Sequence, residues 1–350
     1  MTDRAHAGAV QRVDRVLAPT PASIARAADE LVAGRLVAFP TETVYGLGAD
    51  AAHAEAVAGI YRLKGRPADH PLIVHIRHAH AAQRWAYWSP EAERLADAFW
   101  PGPLTLILKR LPQACEAACG GQDTIGLRAP AHPVSIQLLE AFMARGGSAI
   151  AAPSANRFGR VSPTRAHHVL DDLGAEAPWV LDGGDCAVGL ESTIVDLSRS
   201  EPALLRPGGL ARADIERVLG RVLRAPDDAA PRVSGALAAH YAPRTALELL
   251  AAAEIELRLR ALGAAGRPAA VWSRVKPRER CALWRAQPAD ALEMGHQLYA
   301  VLRELDQSGV SSLIIESPPA VEAWRAIADR LERAAVGSAG GVDRPAARTG

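Results

Sequence analysis

Residues 36–76 constrain the fold of this chain more than any other stretch. An apolar run ending Val37-Ala38-Phe39 leads straight into Pro40-Thr41-Glu42-Thr43-Val44-Tyr45-Gly46-Leu47-Gly48. A helix is predicted over 54–64, with Val57, Ile60 and Tyr61 turned inward by its 3.6-residue period. It closes on the basic turn Lys64-Gly65-Arg66-Pro67, and residues 72–76, Leu-Ile-Val-His-Ile, read as a second buried strand. Strand, hydroxyl- and glycine-bearing loop, helix, basic turn and strand specify an α/β unit whose loop and turn can meet at one sheet edge. The turn can serve the helix's negative C-terminal dipole, or clamp a phosphate with Arg66 as a fork and Lys64 as a point charge. The chain has three lysines, Lys64, Lys109 and Lys276, against 37 arginines, which favours a specific use for the lysine in this turn.

Around this unit the punctuation is regular. Thr20-Pro21 opens a helix as N-cap and N1, with Ile24, Ala28, Leu31 and Val32 on one face and Gly34 as its stop. Ser89-Pro90 starts another, which ends before Trp100-Pro101-Gly102-Pro103. Strands are expected at 104–108 and 124–128, then a helix at 134–144 and a strand at 149–152. A helix at 164–173, marked by Ser162-Pro163, precedes strands at 179–181, 192–197 and 203–205. Because some strands adjoin with no helix between them, the sheet is expected to be mixed.

At 350 residues the chain exceeds the ~250 at which a single core stops growing, so a second domain is expected. Residues 15–210 form the larger domain in this reading, and 211–245 a linker that carries a helix at 212–219 and a polar, proline-containing run at 224–231. Residues 246–336 form a small α/β domain, with strands at 247–250, 269–272, 282–284 and 312–316 and helices at 254–262, 289–305 and 321–335. The Gly-, Pro- and Arg-rich residues 337–350 read as a disordered tail.

Forty basic and 39 acidic side chains nearly cancel, so any nucleic-acid contact must come from a local patch. Cys115, Cys119, Cys186 and Cys281 show no C-x-x-C spacing, which suits a reducing cytoplasm better than a disulfide scaffold. The first residues have no apolar h-region and no later run reaches ~18 apolar residues, so neither secretion nor a membrane span is expected.

The motifs exclude more than they assign. Gly46-Leu47-Gly48-Ala49-Asp50-Ala51 matches G-x-G-x-x-A by letter, but residues 40–45 separate it from the strand and Lys64-Gly65-Arg66 stands where a ribose-binding acid belongs. No nicotinamide or flavin role is expected, and the glycines read as a backbone turn that lets the Thr43 loop fold back. There is no P-loop, and Gly189-Leu190-Glu191-Ser192-Thr193 is not a nucleophile elbow. His75 lies on a buried strand with His78 and His80 in the loop beyond, so a shared metal is not expected; His75 alone is a core histidine or a substrate donor. Ala152-Pro153-Ser154-Ala155-Asn156 puts a hydroxyl and an amide at a strand's C-terminal edge, where α/β sheets commonly hold ligands.

Taken together these pieces resemble the threonylcarbamoyl-AMP synthase family, the YrdC-like domain in its longer two-domain form. The resemblance rests on residues 39–48, Lys64-Gly65-Arg66-Pro67 with 70–76, Trp100-Pro101-Gly102-Pro103-Leu104-Thr105, residues 124–130, Ala152–Asn156 as quoted, residues 190–196 and Leu205-Arg206-Pro207-Gly208, in family order. His240-Tyr241-Ala242-Pro243 extends it into the linker, whereas residues 231–239 lack the proline-, glycine- and basic-rich run usual there. The resemblance implies a twisted, open mixed sheet with helices and a smaller Rossmann-like α/β domain. It implies a nucleotidyltransferase that makes threonylcarbamoyl-AMP and pyrophosphate from L-threonine, bicarbonate and ATP, for threonylcarbamoyladenosine in tRNA. Thr43, His75, Arg128, Ala152 and Ser192 are then expected around threonine. Lys64, Arg66, His70, Thr124, Ser154, Asn156, Ser162 and Arg206 are expected around ATP, Lys64 and Arg66 being catalytic and Tyr241 closing from the linker. Mg2+ would arrive on the phosphates with no protein metal site. The implied partners are downstream tRNA threonylcarbamoyl-transfer proteins, with tRNA itself bound at most weakly. Two rival readings are an RNA-binding module of the same fold and the carbamoyl-transfer domain of hydrogenase-maturation proteins; the latter would carry C-x-x-C pairs that this chain lacks.

Overall fold

The computed structural model describes residues 15–114 and 116–339; the expectations for the chain's first residues, for Cys115 and for the tail beyond Ala339 lie outside them. Ten strands make the larger sheet: β1 (Val16–Leu17), β2 (Val37–Phe39), β3 (Gly46–Asp50), β4 (Ile73–His75), β5 (Leu104–Lys109), β6 (Thr124–Arg128), β7 (Ile150–Ala151), β8 (Trp179–Leu181), β9 (Thr193–Asp196) and β10 (Ala203–Arg206). Their order is β1-β8-β2-β3-β7-β4-β6-β5-β9-β10. Parallel pairs such as β4/β6 and β5/β9 sit beside antiparallel ones such as β2/β3 and β5/β6, so the sheet is mixed, as expected. Period-2 alternation sends its side chains to two cores. Val37, Phe39 and Ile150 pack with Ile24, Leu31, Leu138 and Phe142 of the helices Pro21–Val32 and Pro133–Met143. Ala38, Leu47 and Ala151 pack instead with Val57, Ile60, Leu95 and Val169 of the helices Ala54–Lys64, Pro90–Phe99 and Ala166–Leu173.

A second sheet, β11 (Leu247–Leu250), β12 (Ala269–Ser273), β13 (Leu283–Ala286) and β14 (Ser312–Glu316), is wholly parallel in the order β11-β14-β12-β13. Helix Ala252–Ala264 covers Val271 and Ile314 on one face. Helices Ala291–Asp306 and Arg325–Ala339 cover Ala270, Trp272, Leu313 and Ile315 on the other. Open parallel sheets usually take ligands at the carboxyl ends of the strands, where the strand order reverses. Here polar side chains at the ends of β12 and β14 are bonded within the protein. Glu316 is gripped by the backbone N–H and guanidinium of Arg274, and Gln287 donates to Trp272 O and Glu316 O. The helical face instead meets the larger sheet's loops, with Val44, Val161, Leu190 and Tyr241 sharing one core with Leu298, Tyr299 and Leu331.

Four local expectations are corrected. Val32 is 47% exposed, and Ala27 takes its place on the buried face. Gly46 to Gly48 is no turn but the start of β3, paired antiparallel with β2. A Cβ on Gly48 would lie 2.8 Å from both Ile150 Cγ2 and Phe39 Cε1, so glycine is needed for packing there. The helix expected from Thr164 begins at Ala166 behind Arg165, which makes no side-chain cap; Ser162 is turned elsewhere. Residues 337–339 belong to helix Arg325–Ala339 rather than to a tail. Among the described residues no helix is long and apolar enough to cross a membrane.

Candidate functional site

The loop between β2 and β3 is folded by its own hydroxyls. Thr41 Oγ1 donates to Val44 O at 2.7 Å, accepts from the N–H groups of Thr43 and Val44, and lies 2.8 Å from Thr43 Oγ1. This turn sets Thr43 on a cavity that also takes in His75, Arg128, Ala152 and Ser192, all five residues expected around an amino acid. His75 and Arg128 arrive together because β4 and β6 pair in register at those residues. Burial, with the nearby Arg128, holds His75 down at about 3, so its imidazole is neutral. Its Nδ1 is buried without a partner in the protein. Ser192 Oγ lies 2.7 Å from Thr105 Oγ1 and accepts from Arg206.

Arg128 is already engaged within the protein. Nη2 donates to Glu42 Oε1 at 2.7 Å and Nε to Gly102 O, while Glu42 Oε2 accepts from Ala131 N–H. Burial raises the Glu42 carboxyl, but Arg128 outweighs it and leaves the net shift downward. Arg128 is therefore already paired with a carboxylate, and a second one must share the guanidinium.

Arg206, which lines this cavity, and Lys64 and Arg66 beside it are three cations that are almost wholly buried. Lys64 Nζ donates to the carbonyls of Ser154 (2.6 Å) and Asn156. Arg66 Nη2 donates to Pro71 O at 2.9 Å and reaches Ser234 Oγ at 3.4 Å. Arg206 holds Ser192 O with Nε and Nη2 and Ser234 O with Nη1. Burial, then the charge of Arg66, pushes Lys64 well below the usual lysine range, and burial brings Arg66 to about 10. None of the three has a carboxylate within ion-pair distance among the described residues. Buried cations with only carbonyls and hydroxyls for company are costly, and an anion would offset that cost.

The other residues expected around ATP are distributed about this cluster. Ser154 lines the cavity beside Gly46. Asn156 spends its amide on Arg157 O and Arg160 O and leaves Oδ1 without a partner in the protein. His70 lies edge-on to Phe158 at 5.5 Å, below the ordinary histidine range through burial and Arg66. Thr124 is set apart, in a neighbouring hollow lined also by Arg232, Val233 and Ser234. Ser162 donates to Glu191 at 2.6 Å.

The segment from Arg232 to Tyr241 lies across the site. Arg232 is tied to Gln122 and Gly120, so the run that departs from the family pattern still anchors itself. Tyr241 is 1% exposed with φ +59°, a left-handed backbone that costs a non-glycine residue roughly 1–2 kcal/mol. It is stacked on Tyr299 at 5.7 Å, under the guanidinium of Arg330 at 5.2 Å, with Ala242 N–H donating to Gly159 O. A Cβ on Gly235 would fall 2.2 Å from the Tyr241 hydroxyl, so that contact admits only glycine.

Sequence reasoning did not select Glu42, Glu191 or Ser234. Glu42 sits between two threonines that were read for their hydroxyls, and Ser234 lies in the atypical linker run. No local pattern marks them, because their partners are 86, 139 and 168 residues away.

Residues 29–208 match the Sua5–YciO–YrdC family model, described as telomere recombination. Residues 210–336 match the model described as the C-terminal domain of threonylcarbamoyl-AMP synthase. The threonylcarbamoyl-AMP synthase of Bacillus subtilis is 37% identical over 329 residues, covering 90% of this chain and 93% of that one. That of Pyrococcus abyssi is 47% identical over 216 residues, 60% of this chain and 62% of the relative, so this alignment spans less than two thirds of the relative's length. Over whole folds, the crystal structure of P. abyssi Sua5 complexed with L-threonine superposes with a TM-score of 0.85 at 35% identity, covering 92% of this chain and 98% of that one.

Proposed function

The chain belongs to the threonylcarbamoyl-AMP synthase family, and from that premise we propose that it joins L-threonine, bicarbonate and ATP into threonylcarbamoyl-AMP with release of pyrophosphate. The observation that carries this reading is the adjacency of two unlike sites. A cavity with a hydroxyl turn, a neutral imidazole and a guanidinium suits a small amino acid, and three buried cations beside it suit a triphosphate. Threonine bound to the P. abyssi relative supports assigning Thr43, His75, Arg128, Ala152 and Ser192 to that amino acid here.

In this scheme the threonine amine, neutral, attacks bicarbonate, and water leaves to give a carbamate. A carbamate oxygen then attacks the α-phosphorus in line and the P–O bond to pyrophosphate breaks. His75 accepts a hydrogen bond from the amino acid through its open Nδ1, and Arg128 shares its charge between Glu42 and the substrate carboxylate. Lys64, Arg66 and Arg206 offset charge that builds on the leaving group, which is catalysis by position and preorganised electrostatics. Ser154, Asn156 and Ser162 orient the nucleotide, with His70 and Thr124 at its edge. Mg2+ would be held by the ATP phosphates and would add charge neutralisation there, while Glu42 and Glu191 are both paired with arginines. Tyr241 and the linker shield the labile adenylate from water before it passes to the proteins that modify tRNA.

Mass spectrometry of the product formed with carbon-labelled bicarbonate tests the scheme. Label is expected in the carbamoyl group of an adenylate that also contains threonine. An unlabelled adenylate, or threonyl-AMP alone, would refute it.

A further inference from the structure

Glu191 is joined to Ser192 in the chain and lines the same cavity, yet its carboxylate faces the second sheet's helices. It is 7% exposed and accepts three hydrogen bonds: from Ser162 Oγ at 2.6 Å, Tyr299 Oη at 2.7 Å and Arg330 Nε at 3.0 Å. Tyr299 belongs to helix Ala291–Asp306 and Arg330 to helix Arg325–Ala339, so two of the three donors come from the C-terminal unit. The Arg330 side chain is fully buried and uses its other nitrogens on Asp329 and on Pro207 O, next to Arg206. Burial alone would raise the Glu191 carboxyl, but Arg330, Arg206 and the two hydroxyl donors bring it to about 2, so it is ionised at every working pH.

The backbone around this contact leaves little slack. A Cβ on Gly189 would lie 2.6 Å from His296 O, and one on Gly208 would lie 2.4 Å from Glu191 O and from Thr193 N. Residues 189–193 are thus pinned between a helix of the C-terminal unit and the turn after β10. Further along, a Cβ on Gly337 would meet that of Ala242 at 2.9 Å, which brings the second helix against the linker motif as well. At the carboxyl ends of β12 and β14, meanwhile, Glu316 and Gln287 are engaged in hydrogen bonds within the protein. The unit therefore has a tightly docked face, and the polar side chains at its strand ends are already bonded within it.

We propose that Glu191 is a positioning residue through which the C-terminal unit completes the active site: Arg330 and Tyr299 fix its carboxylate, and the carboxylate fixes Ser162 and the chain at Ser192. The Ser162 hydroxyl, its proton committed to Glu191, presents lone pairs to the nucleotide and accepts rather than donates there. Ser192 is held at the height set by Glu191 on one side and Arg206 on the other. The inference rests on the reading of this cavity as the threonine and ATP site.

Tyr299→Phe tests it with little risk to folding, because it removes one hydroxyl and keeps the ring stacked on Tyr241. Pyrophosphate release is measured for wild type, Tyr299→Phe, Glu191→Gln and the double variant, with KM for threonine and for ATP separated from kcat. Tyr299→Phe is expected to raise at least one KM roughly tenfold, as for loss of one hydrogen bond to a charged group. The double variant is expected to be no worse than Glu191→Gln, because the hydroxyl acts only through that carboxylate. Wild-type constants in Tyr299→Phe, or defects that multiply as if independent, would overturn the proposal while leaving the functional reading intact. A wild-type enzyme with no threonine-dependent release would overturn both.

Discussion

Lys64 offers a prediction that follows from its burial. Its ammonium is 3% exposed, bonded only to the carbonyls of Ser154 and Asn156, and held well below the ordinary lysine range by desolvation and then by Arg66. A phosphate oxygen at roughly 4 Å and an effective dielectric near 20 contributes about 4 kcal/mol to the charged form. That opposes the effect of burial, so ATP binding should raise the pKa of Lys64 and take up protons wherever its free form is partly neutral. The sign is fixed: affinity falls as pH rises, by up to about tenfold per pH unit for one full proton. Between neutral pH and about 10, where Arg66 begins to lose its charge, the neighbouring groups do not mask the effect. His75 and His240 stay neutral from about 3 upward, and Arg66 stays charged to about 10. Calorimetric titration of ATP with Mg2+, in two buffers of different ionisation enthalpy, reads the uptake directly. Lys64→Met should bind more weakly and lose the buffer dependence. Affinity flat across that range, with no proton uptake in wild type, would refute the reasoning.

Three other perturbations are equally specific. Arg66→Ala should cut ATP turnover steeply, since each charge-assisted hydrogen bond it gives a phosphate is worth about 1.5–3 kcal/mol; near-normal pyrophosphate release would remove Arg66 from the site. Gly48→Ala should cost about 1–3 kcal/mol in denaturant titrations, because its Cβ would fall 2.8 Å from Ile150 and Phe39, and an unchanged midpoint would contradict the packing account. Glu191 is depressed from the ordinary 4.5 to about 2, so its share of stability, up to about 3 kcal/mol, is present above pH 4.5 and lost as pH falls towards 2. Stability measured across that range should fall less steeply in Glu191→Gln than in wild type, and an equal slope would count against the buried ion pair.

Much of this architecture was legible where local chemistry decides it. Thr20-Pro21 and Ser89-Pro90 cap helices in the structure as their sequence predicts, and the inward face Val57, Ile60 and Tyr61 is buried. Legibility failed where a distant partner overrides a local signal. Gly46 to Gly48 looks like a turn because glycine is rare in strands, yet the ring of Phe39 and the side chain of Ile150 need the space that a Cβ would fill. Ser162 before a proline looks like a helix cap, but its hydroxyl donates to Glu191 instead. Arg330 carried no sequence signal of its own and is fully buried in the fold. The candidate site followed the same division. Thr43, His75, Arg128, Ala152 and Ser192 line one cavity, whereas Glu42 and Glu191, which pair with Arg128 and Arg330, had no sequence signature.

The most direct test of the account is pyrophosphate release from ATP, Mg2+ and bicarbonate in the presence of single amino acids. Thr43, His75, Arg128 and Ser192 form a cavity with several groups able to bond a β-hydroxyl and a carboxylate. Release is therefore expected with L-threonine and at background level with valine, which has the same branching but no hydroxyl. Equal release with both, or release that needs no amino acid, would contradict the central claim.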